Sequence, residues 1–600
     1  MAGEQVLVLG PSGKQILPSV VGLSPSGELL VGQAARNQWM LYPERTVKSI
    51  KRKMGSSERV SLGERTFLPQ EISAVILKEL ASMAGRQLGV AVERAVITVP
   101  AYFSDAQRNA TREAGELAGL EVVRILNEPT AASLAYGTEG PSRRTVMVYD
   151  LGGGTFDVSI VTMEADVTEV LASHGNNHLG GDDFDQLIVN RLLQVFREAH
   201  QVDLQEPQYR QGLARLWWAA EEAKKTLSAE PYARIREEAL AVLEGKPLNL
   251  DYELSADEYE AMIRPLVEST LESVSKALAD AAKRPSDLDA IFLVGGSTRT
   301  PMVSRLLEER CAMTPRQEVH PDLCVALGAG VLASRLGGHA IERVLVDVSP
   351  YSFGPSYLGM LGGMPYHHCY HPVIHRNTPL PVTRTERYST AAPFQREVDV
   401  EIFQGEDGDA LKNVPVGHFR ISGLTPKKDA NEVLCRMALD LDGILRVTAI
   451  EKETGLSKEI LIDNALAARS PEEVAKARRE LESLYSTRTE GDAFAQAEAF
   501  EEGEDAQGRE AEKPEAERES VPAAGSGAKA PADAWSVSVT EARALIERAR
   551  GLLPKIHEED REEMIDLLES MDDAIVTADA GSLATARREL QELLFFVEGK

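Results

Sequence analysis

Three consecutive glycines lie between two carboxylates in one short segment of the sequence, and a threonine follows them: Asp150, Gly152, Gly153, Gly154, Thr155 and Asp157. Glycines let backbone N–H groups approach phosphate oxygens closely, and the threonine hydroxyl adds a further donor. The two carboxylates are suited to hold Mg²⁺ through waters, because this ion keeps much of its hydration shell. The segment predicts a phosphate and magnesium site, and an ordinary glycine-rich hairpin is the alternative.

The residues on either side of these glycines indicate which kind of phosphate loop this is. An apolar run at 146–149 precedes the segment, and a second one at 158–161 follows it. This pattern predicts a strand, a glycine turn and a second strand. A dinucleotide fingerprint or a Walker loop requires a helix after the turn, so both are disfavoured.

A second glycine loop follows the apolar run 291–294 and contains Gly295, Gly296, Ser297 and Arg299. Two glycines at a strand end allow close approach of a nucleotide, on which an arginine can stack. Thr300 and Pro301 have the residue types of an N-cap and first helical position. A plain strand-to-helix turn explains the loop equally well.

Two further groups of residues give weaker signals. One is the glycine pair Gly180 and Gly181. The other is a set at helical spacing, i, i+3, i+4 and i+7, for which a solvated charged stripe is the usual explanation: Glu221, Lys224, Lys225 and Ser228.

The elements that must position these residues change in type along the chain. Residues 1–340 alternate short apolar runs with helical patterns, which is typical of an α/β domain. In one example, Ser104 and Gln107 have the spacing of a capping box. Residues 344–465 show the alternation of half-buried strands and predict an all-β sandwich. The pattern becomes helical after Ser470.

Composition limits the function classes. The net charge is −29, and more than half of it falls within residues 471–600. Nucleic acid and anionic membranes require a basic footprint, so neither is expected as a partner. The longest apolar runs are too short to span a membrane. Four cysteines without a Cys-x-x-Cys pair predict reduced thiols and a cytoplasmic location.

Several segments in the same order resemble the heat-shock protein 70 (DnaK-type) chaperones, which belong to the actin and sugar-kinase ATPase superfamily. The resemblance is carried by residues 95–103, 127–132, 150–157 and 294–299, and it extends from about residue 4 to about residue 465. It implies a two-lobed, actin-like (ribonuclease-H-like) α/β ATPase domain, a β-sandwich that binds peptides, and an α-helical lid. The expected boundaries are 1–340 for the ATPase, 341–349 for a linker, 350–465 for the sandwich, 466–487 for a helix, 488–535 for an acidic disordered insert and 536–600 for the lid.

The resemblance also implies roles for individual residues. Lys51 matches the lysine that orients the attacking water, Glu128 the acid beside it, and Asp322 a further acid on the nucleotide side. The glycines and Thr155 of the first loop match the second phosphate loop of the family, with Asp150 and Asp157 as its metal-associated acids. The second glycine loop, with Gly295, Gly296, Ser297 and Arg299, matches the adenosine loop, and the set Glu221, Lys224, Lys225 and Ser228 matches the adenine and ribose helix. ATP or ADP with Mg²⁺ is the implied cofactor.

A third set of residues is implied to link nucleotide state to peptide binding. The resemblance places an apolar linker at Val344, Leu345, Val346 and Asp347, and relay positions at Pro100 and Arg108. The alternative for the linker is the first strand of the sandwich. The peptide cleft is expected at Tyr388, Ala391, Val398 and Val400, with Met360 as an addition. Core packing is the alternative for the two valines.

The sequence departs from the family at its start. The family opens with a glycine hairpin, Asp-Leu-Gly-Thr-Thr and a polar residue, around the outer phosphates, whereas residues 4–19 of this sequence align with the strand and loop that follow. We therefore expect a start-site truncation of a longer protein. Should Met1 be the native start, ATP hydrolysis is expected to be severely impaired.

The sandwich departs from the family at a histidine-rich segment that contains His367, His368, Cys369 and His371, with His375 shortly after. These residue types can bind Zn²⁺ or Cu²⁺. Alternate side chains of a strand point to opposite faces, however, which favours a polar loop adapted to the substrate.

The leading hypothesis is an ATP-regulated chaperone for unfolded polypeptides that works with a J-domain co-chaperone and a nucleotide-exchange factor. A hydrolysis-deficient peptide-binding or scaffold protein is the second hypothesis. A small-molecule kinase of the same superfamily is the third, and the sandwich after the linker disfavours it.

Overall fold

The computed structural model describes residues 15–136, 143–164, 167–317, 319–337, 344–452, 454, 457–461 and 471–488, and separate helical positions between 542 and 590. The predicted acidic insert lies outside the described residues except for Arg488. The first fourteen residues, where the departure from the family was noted, also lie outside them. None of the helices within the described parts is both long and apolar enough to cross a membrane.

The first lobe contains short strands and four helices, two of which, at 69–88 and 105–117, pack in its main apolar core. Its strands are β1 Val20–Leu23, β2 Leu29–Val31, β3 Thr46–Lys48, β4 Val60–Leu62, β5 Arg65–Phe67, β6 Arg94–Val99 and β7 Glu121–Asn127. Its helices are α1 Gln33–Trp39, α2 Pro69–Leu88, α3 Asp105–Leu117 and α4 Glu128–Ala135. The sheets have the orders β2-β1-β3, β4-β5 and β6-β7, of which the last is parallel.

The second lobe is built on a five-stranded mixed sheet of order β13-β8-β9-β10-β14 and a separate two-stranded sheet, β11-β12. The strands are β8 Arg144–Leu151, β9 Phe156–Glu164, β10 Val167–Asn176, β11 Tyr232–Leu243, β12 Lys246–Ser255, β13 Ala290–Val294 and β14 Val344–Val346. The helices are α5 Gly181–His200, α6 Arg210–Thr226, α7 Ala256–Asp280, α8 Pro301–Cys311 and α9 Cys324–Leu336.

Two four-stranded sheets form the sandwich, in the orders β16-β15-β18-β19 and β17-β20-β21-β22. Its strands are β15 Phe353–Leu361, β16 Met364–Tyr370, β17 Val382–Ser389, β18 Glu397–Gln404, β19 Val414–Ser422, β20 Glu432–Leu439, β21 Leu445–Glu451 and β22 Ser457–Leu461. Inward-facing residues of both sheets, such as Ile402 and Val447, share one buried core. Strands such as β18 and β21 lie within residues 344–465, where the alternating pattern predicted them.

Helix α10, Pro471–Tyr485, packs on the first lobe and not on the sandwich. Its buried residues Ala477, Leu481 and Leu484 recur at helical spacing and join the apolar core that contains α2 and α3. The Tyr485 hydroxyl also donates to Glu79 Oε2 at 2.7 Å. Farther along, buried helical positions such as Ala542, Ile546 and Ala549 share a separate cluster with Leu434 and Ile450 of the sandwich.

Candidate functional site

The glycine segment forms a tight hairpin between β8 and β9, as the sequence predicted. Gly152 N–H donates to the Thr155 carbonyl at 3.0 Å, which closes the turn. Asp150 and Asp157 are paired directly across the two strands. The hairpin therefore holds two carboxylates side by side beneath a loop of backbone N–H groups.

The glycine pair before α5 packs directly against this hairpin. Gly181 N–H donates to the Gly152 carbonyl at 2.9 Å, and Asp182 N–H donates to the Gly153 carbonyl at 2.8 Å. A Cβ atom on Gly180 would lie 2.6 Å from the backbone of Gly153, so no larger residue fits there. The weak sequence signal at this pair marks a required close approach of two backbones.

The second predicted loop closes the third side of the same site. Gly295 has a φ of +83°, and a Cβ atom there would lie 2.4 Å from the Leu151 carbonyl oxygen. The Ser297 hydroxyl donates to the Gly152 carbonyl at 2.9 Å. Thr300 is the N-cap of α8, and Pro301 is its first residue, as predicted.

The Glu128, Asp150 and Asp157 carboxylates lie close together at the hairpin, and the Lys51 ammonium lies beside them. Lys51 Nζ lies 2.5 Å from Glu128 Oε1. Burial, together with the Glu128 carboxylate, raises the pKa of Asp157 to about 7. Burial and the carboxylates of Glu128 and Asp157 also hold the pKa of Asp150 well above its usual range.

These acids fit a magnesium ion held through waters. Carboxylates that resist ionisation in a buried site are stabilised by a nearby cation, and the Lys51 ammonium acts on both Asp150 and Asp157. Among the described residues, no group of three or more His, Cys, Asp or Glu side chains is placed to hold a metal ion directly.

A cavity of about 710 Å³ lies between the two lobes, above the hairpin. Most of the predicted nucleotide residues line it: Lys51, Gly153, Gly154, Thr155, Glu221, Lys224, Lys225, Ser228, Gly296, Ser297, Arg299 and Asp322. Gly152, Gly180, Gly181 and Gly295 support its walls, and Glu128, Asp150 and Asp157 do not line it themselves. The helical stripe on α6 thus faces a cavity and is not simply solvated.

Sequence reasoning missed several residues of this cavity, including Lys48, Ser49, Arg52, Asp185 and Trp218. Lys48 Nζ lies 4.0 Å from the ring centre of Trp39 and 4.3 Å from that of Trp217, and burial lowers its pKa. The tryptophan pair just before the α6 stripe was an available signal.

Polar contacts across the cavity hold the lobes together. Ser49 donates to Asp182 Oδ2 at 2.6 Å, and Arg52 pairs with Asp183 at 2.5 Å. On the other side, Arg36 pairs with Glu221 at 2.9 Å and lies over the Trp218 ring. The site is therefore closed on both sides by contacts between the lobes.

A second cavity, of about 760 Å³, lies in the sandwich. Tyr388, Ala391, Val398 and Val400 line it, together with residues of the sandwich interior such as Val433. Met360 does not line this cavity but lies near the end of β15 with 66% of its surface exposed. Four of the five residues expected at a peptide cleft thus meet around one cavity.

A β-bulge overturns the expectation that the histidines alternate between faces. The register between β15 and β16 shifts between Tyr357 and Gly359, so that one residue of β15 opposes both His367 and His368. An extra residue at a bulge redirects side chains. As a result His367, His368 and His371 all line the cavity, and His368 Nδ1 lies 3.8 Å from Glu401 Oε2.

The segment predicted as a linker forms the edge strand of the five-stranded sheet of the second lobe. Val344, Leu345 and Val346 make up β14, which pairs in parallel with β10. Asp347 accepts a hydrogen bond from the Thr130 hydroxyl at 2.9 Å. Strand β14 therefore belongs to the five-stranded sheet of the second lobe and not to either sheet of the sandwich.

Arg108 lies at the contact between the first lobe and the sandwich. It is 3% exposed and donates to Asn127 Oδ1 at 2.7 Å and to the Asp442 carbonyl at 3.2 Å. Pro100 stands at the end of β6, where its carbonyl accepts from Phe103 N–H. Arg108 thus joins the loop after β6 to the β20–β21 turn of the sandwich.

Asp442, which the sequence did not single out, makes the main contacts from the sandwich side. Its carboxylate accepts from Ile125 N–H at 2.9 Å and pairs with Arg112. Nearby, Leu445 N–H donates to Asp105 Oδ1 at 2.8 Å. Charged side chains and backbone groups of the first lobe therefore find hydrogen-bond and ion-pair partners in the sandwich. These contacts hold the lobe and the sandwich in one specific arrangement.

Comparison with known proteins gives a family match and several similar relatives. The model of the Hsp70 protein family matches residues 1–61 and 57–581. Relatives named "Chaperone protein DnaK" from Thermotoga petrophila and Thermotoga maritima are 44% identical over 464 residues, which is 76% of this chain and 76% of each relative. The protein of that name from Thermosipho africanus is 44% identical over 456 residues, or 75% of each chain.

Proposed function

Because the chain belongs to the Hsp70 family, we propose that it is an ATP-dependent molecular chaperone. It binds extended apolar segments of unfolded polypeptides, and its affinity for them follows the nucleotide state. The observation that carries this proposal is the docked linker: β14 completes the ATPase sheet and leads directly into the sandwich that contains the second cavity. A conformational change in the ATPase sheet can therefore reach the peptide cleft through β14.

At the nucleotide site, ATP or ADP occupies the cavity between the lobes. Backbone N–H groups of Gly153 and Gly154 bind phosphate oxygens, and Glu221, Lys225 and Arg299 surround the nucleoside. Mg²⁺, when bound, neutralises phosphate charge. Lys51, held by Glu128, donates a hydrogen bond that orients the attacking water. Asp150 and Asp157 would hold this ion through its waters.

In the sandwich, an extended segment of the client lies in the cleft. Val398, Val400 and Tyr388 contact its apolar side chains, while backbone groups of the cleft supply affinity that does not depend on sequence. His367, His368 and His371 give the cleft a polar wall. This wall suits clients whose apolar residues are flanked by hydrogen-bonding groups.

The proposal includes partners and a compartment. A J-domain co-chaperone would stimulate hydrolysis, and an exchange factor would replace ADP. All four cysteines are free and buried, which supports work in the reducing cytoplasm.

The rate of ATP turnover, measured with and without an unfolded polypeptide, tests the proposed function. A chaperone of this kind hydrolyses ATP faster when the polypeptide is added. Binding of the polypeptide with no turnover would instead indicate a hydrolysis-deficient scaffold. Turnover that requires a small acceptor and ignores the polypeptide would indicate a kinase.

A further inference from the structure

Strands β15 and β16 form a hairpin that projects beyond the sandwich. Only Phe353, Gly354 and Pro355 of β15 pair with β18, whereas the β15–β16 pairing continues to Leu361 and Met364. Gly362 and Gly363, with φ values of +62° and +83°, make the turn. We call residues 358–368 the arm.

The end of the arm is apolar and exposed. Leu358 is 48% exposed, Met360 66%, Leu361 41% and Met364 71%. Leu358 and Met360 lie on one face of the hairpin, and the paired Leu361 and Met364 lie on the other face beside the turn. Neighbouring large apolar groups on a surface mark an interaction site more often than isolated ones do. Methionine is flexible and polarisable, so it suits a surface that contacts many different apolar partners.

The charge of this region supports the same conclusion. Residues 348–375 contain no Asp, Glu, Lys or Arg, although 26% of the whole chain is charged. Strand β16 is also the edge of its sheet, a place that proteins normally protect with charged side chains. The arm lacks that protection along its whole length.

The arm is continuous with the peptide cleft. Leu358 lines the cleft cavity, and Met360, two residues farther along β15, lies on the same face of the strand because side chains alternate. The paired residue across the hairpin is Pro365, which adds apolar surface. From Leu358 to the turn the arm adds roughly 10 Å, or about three residues of an extended client.

We propose that the arm is a second client-binding surface, which takes the apolar residues of an extended polypeptide just outside the segment held in the cleft. This inference rests on the proposed chaperone function and adds to it a client class: segments whose apolar residues continue about three positions beyond the cleft. The arm selects such segments over those with a single short apolar core.

Two peptides and a shortened arm test the proposal on the full chain with ADP. One peptide has seven residues with leucines at its centre, and the other extends it to twelve with a second pair of leucines. In the shortened arm, an Asn-Gly turn replaces residues 360–365 and joins Gly359 to Tyr366, which are already paired. Met360→Ser is a milder variant whose exposed position keeps folding intact, and Leu411→Ser, at a 61% exposed leucine of the same sandwich, is the matched control.

The unaltered protein is expected to bind the longer peptide about tenfold more tightly than the shorter one. The shortened arm removes that difference and leaves the affinity for the seven-residue peptide unchanged. Met360→Ser removes part of the difference, and Leu411→Ser none.

Equal affinities for both peptides in the unaltered protein, or a difference that survives in the shortened arm, would overturn the proposal. So would sedimentation data in which the shortened arm abolishes a dimer without altering either affinity, because a second copy of the chain would then be the occupant. If neither peptide binds the unaltered protein, the proposed chaperone function itself fails, and the arm proposal falls with it.

Discussion

The Lys51 ammonium lies 2.5 Å from the Glu128 carboxylate, although 77 residues separate them in the chain. Lys51 belongs to a single 3₁₀ turn, Ile50–Lys53, and Glu128 is the first residue of α4. The contact places the ammonium next to Asp150 and Asp157, where its positive charge partly offsets the rise that burial causes in the pKa of both carboxylates. The predictions for the nucleotide site follow from this pair.

Replacing Lys51 by alanine is expected to reduce ATP turnover by about a hundredfold, because the water loses its donor. Nucleotide affinity should change little, since the glycine loops are intact. Single-turnover hydrolysis with saturating enzyme measures the rate of the chemical step apart from nucleotide affinity. Lys53→Ala is the control, because Lys53 lies in the same turn but pairs with the exposed Glu58. A Lys51 variant that keeps the full rate would remove Lys51 from the mechanism.

Gly180→Ala is expected to weaken ADP binding by at least about tenfold, since the added Cβ would lie 2.6 Å from Gly153 and must push the phosphate loop at 152–155 away from the start of α5. Calorimetric titration with ADP measures the effect. Gly408→Ala, at a glycine with nothing within 4 Å of its Cβ position, should bind ADP normally. An unchanged affinity in the Gly180 variant would show that phosphate does not bind against this loop.

Asp442→Ala is expected to uncouple the two domains. The change removes the acceptor for Ile125 N–H and the partner of Arg112, so the docked arrangement loses free energy relative to the undocked one. Peptide affinity with ATP should therefore rise toward its value with ADP, as fluorescence anisotropy can measure. Asp429→Ala, at an exposed position of the same sandwich, should leave both affinities as they are. If the difference in peptide affinity between ATP and ADP were the same in both variants, this role of Asp442 would be contradicted.

The pH dependence of stability is expected to carry a contribution from Asp185. Burial raises the pKa of this carboxyl to about 6, even though Lys224 Nζ lies 2.8 Å away. An aspartate in the unfolded chain titrates near pH 3.9. The folded protein therefore holds the proton more tightly, and its stability from this group falls as the pH rises from about 4 to about 6, by roughly 3 kcal/mol for two pKa units.

Asp185→Asn removes this titration and should gain stability relative to the unaltered protein as the pH rises from 4 to 7. The ion pair with Lys224 forms only when Asp185 is ionised and is already part of its pKa of about 6, so the slope of stability against pH carries the information. Thermal unfolding can be followed through Trp39, Trp217 and Trp218, three of the four tryptophans of the chain. Parallel pH profiles for the two proteins would contradict the raised pKa.

Features set by neighbouring residues could be predicted from the sequence. The strand–turn–strand reading around Gly153 was correct, because glycines and apolar runs encode a hairpin locally. The starts of α3 after Ser104 and of α8 after Thr300 were also correct, because capping depends on the adjacent residues.

Features set by distant contacts could not be predicted in this way. The Arg52–Asp183 pair exists only because the lobes close on each other. Both His367 and His368 reach the cleft only because the register of β15 against β16 shifts, and a strand pattern alone does not reveal its partner's register. For the same reason, the apolar run Val344–Val346 predicted a strand or a linker without specifying the sheet that it joins.

The central claim is that nucleotide state controls peptide binding through the docked linker and sandwich. The most direct measurement is the dissociation rate of a labelled seven-residue apolar peptide from the full chain, chased with unlabelled peptide in ATP or in ADP. Coupling of ordinary strength predicts release at least about tenfold faster with ATP. Equal release rates in the two nucleotides would contradict the account.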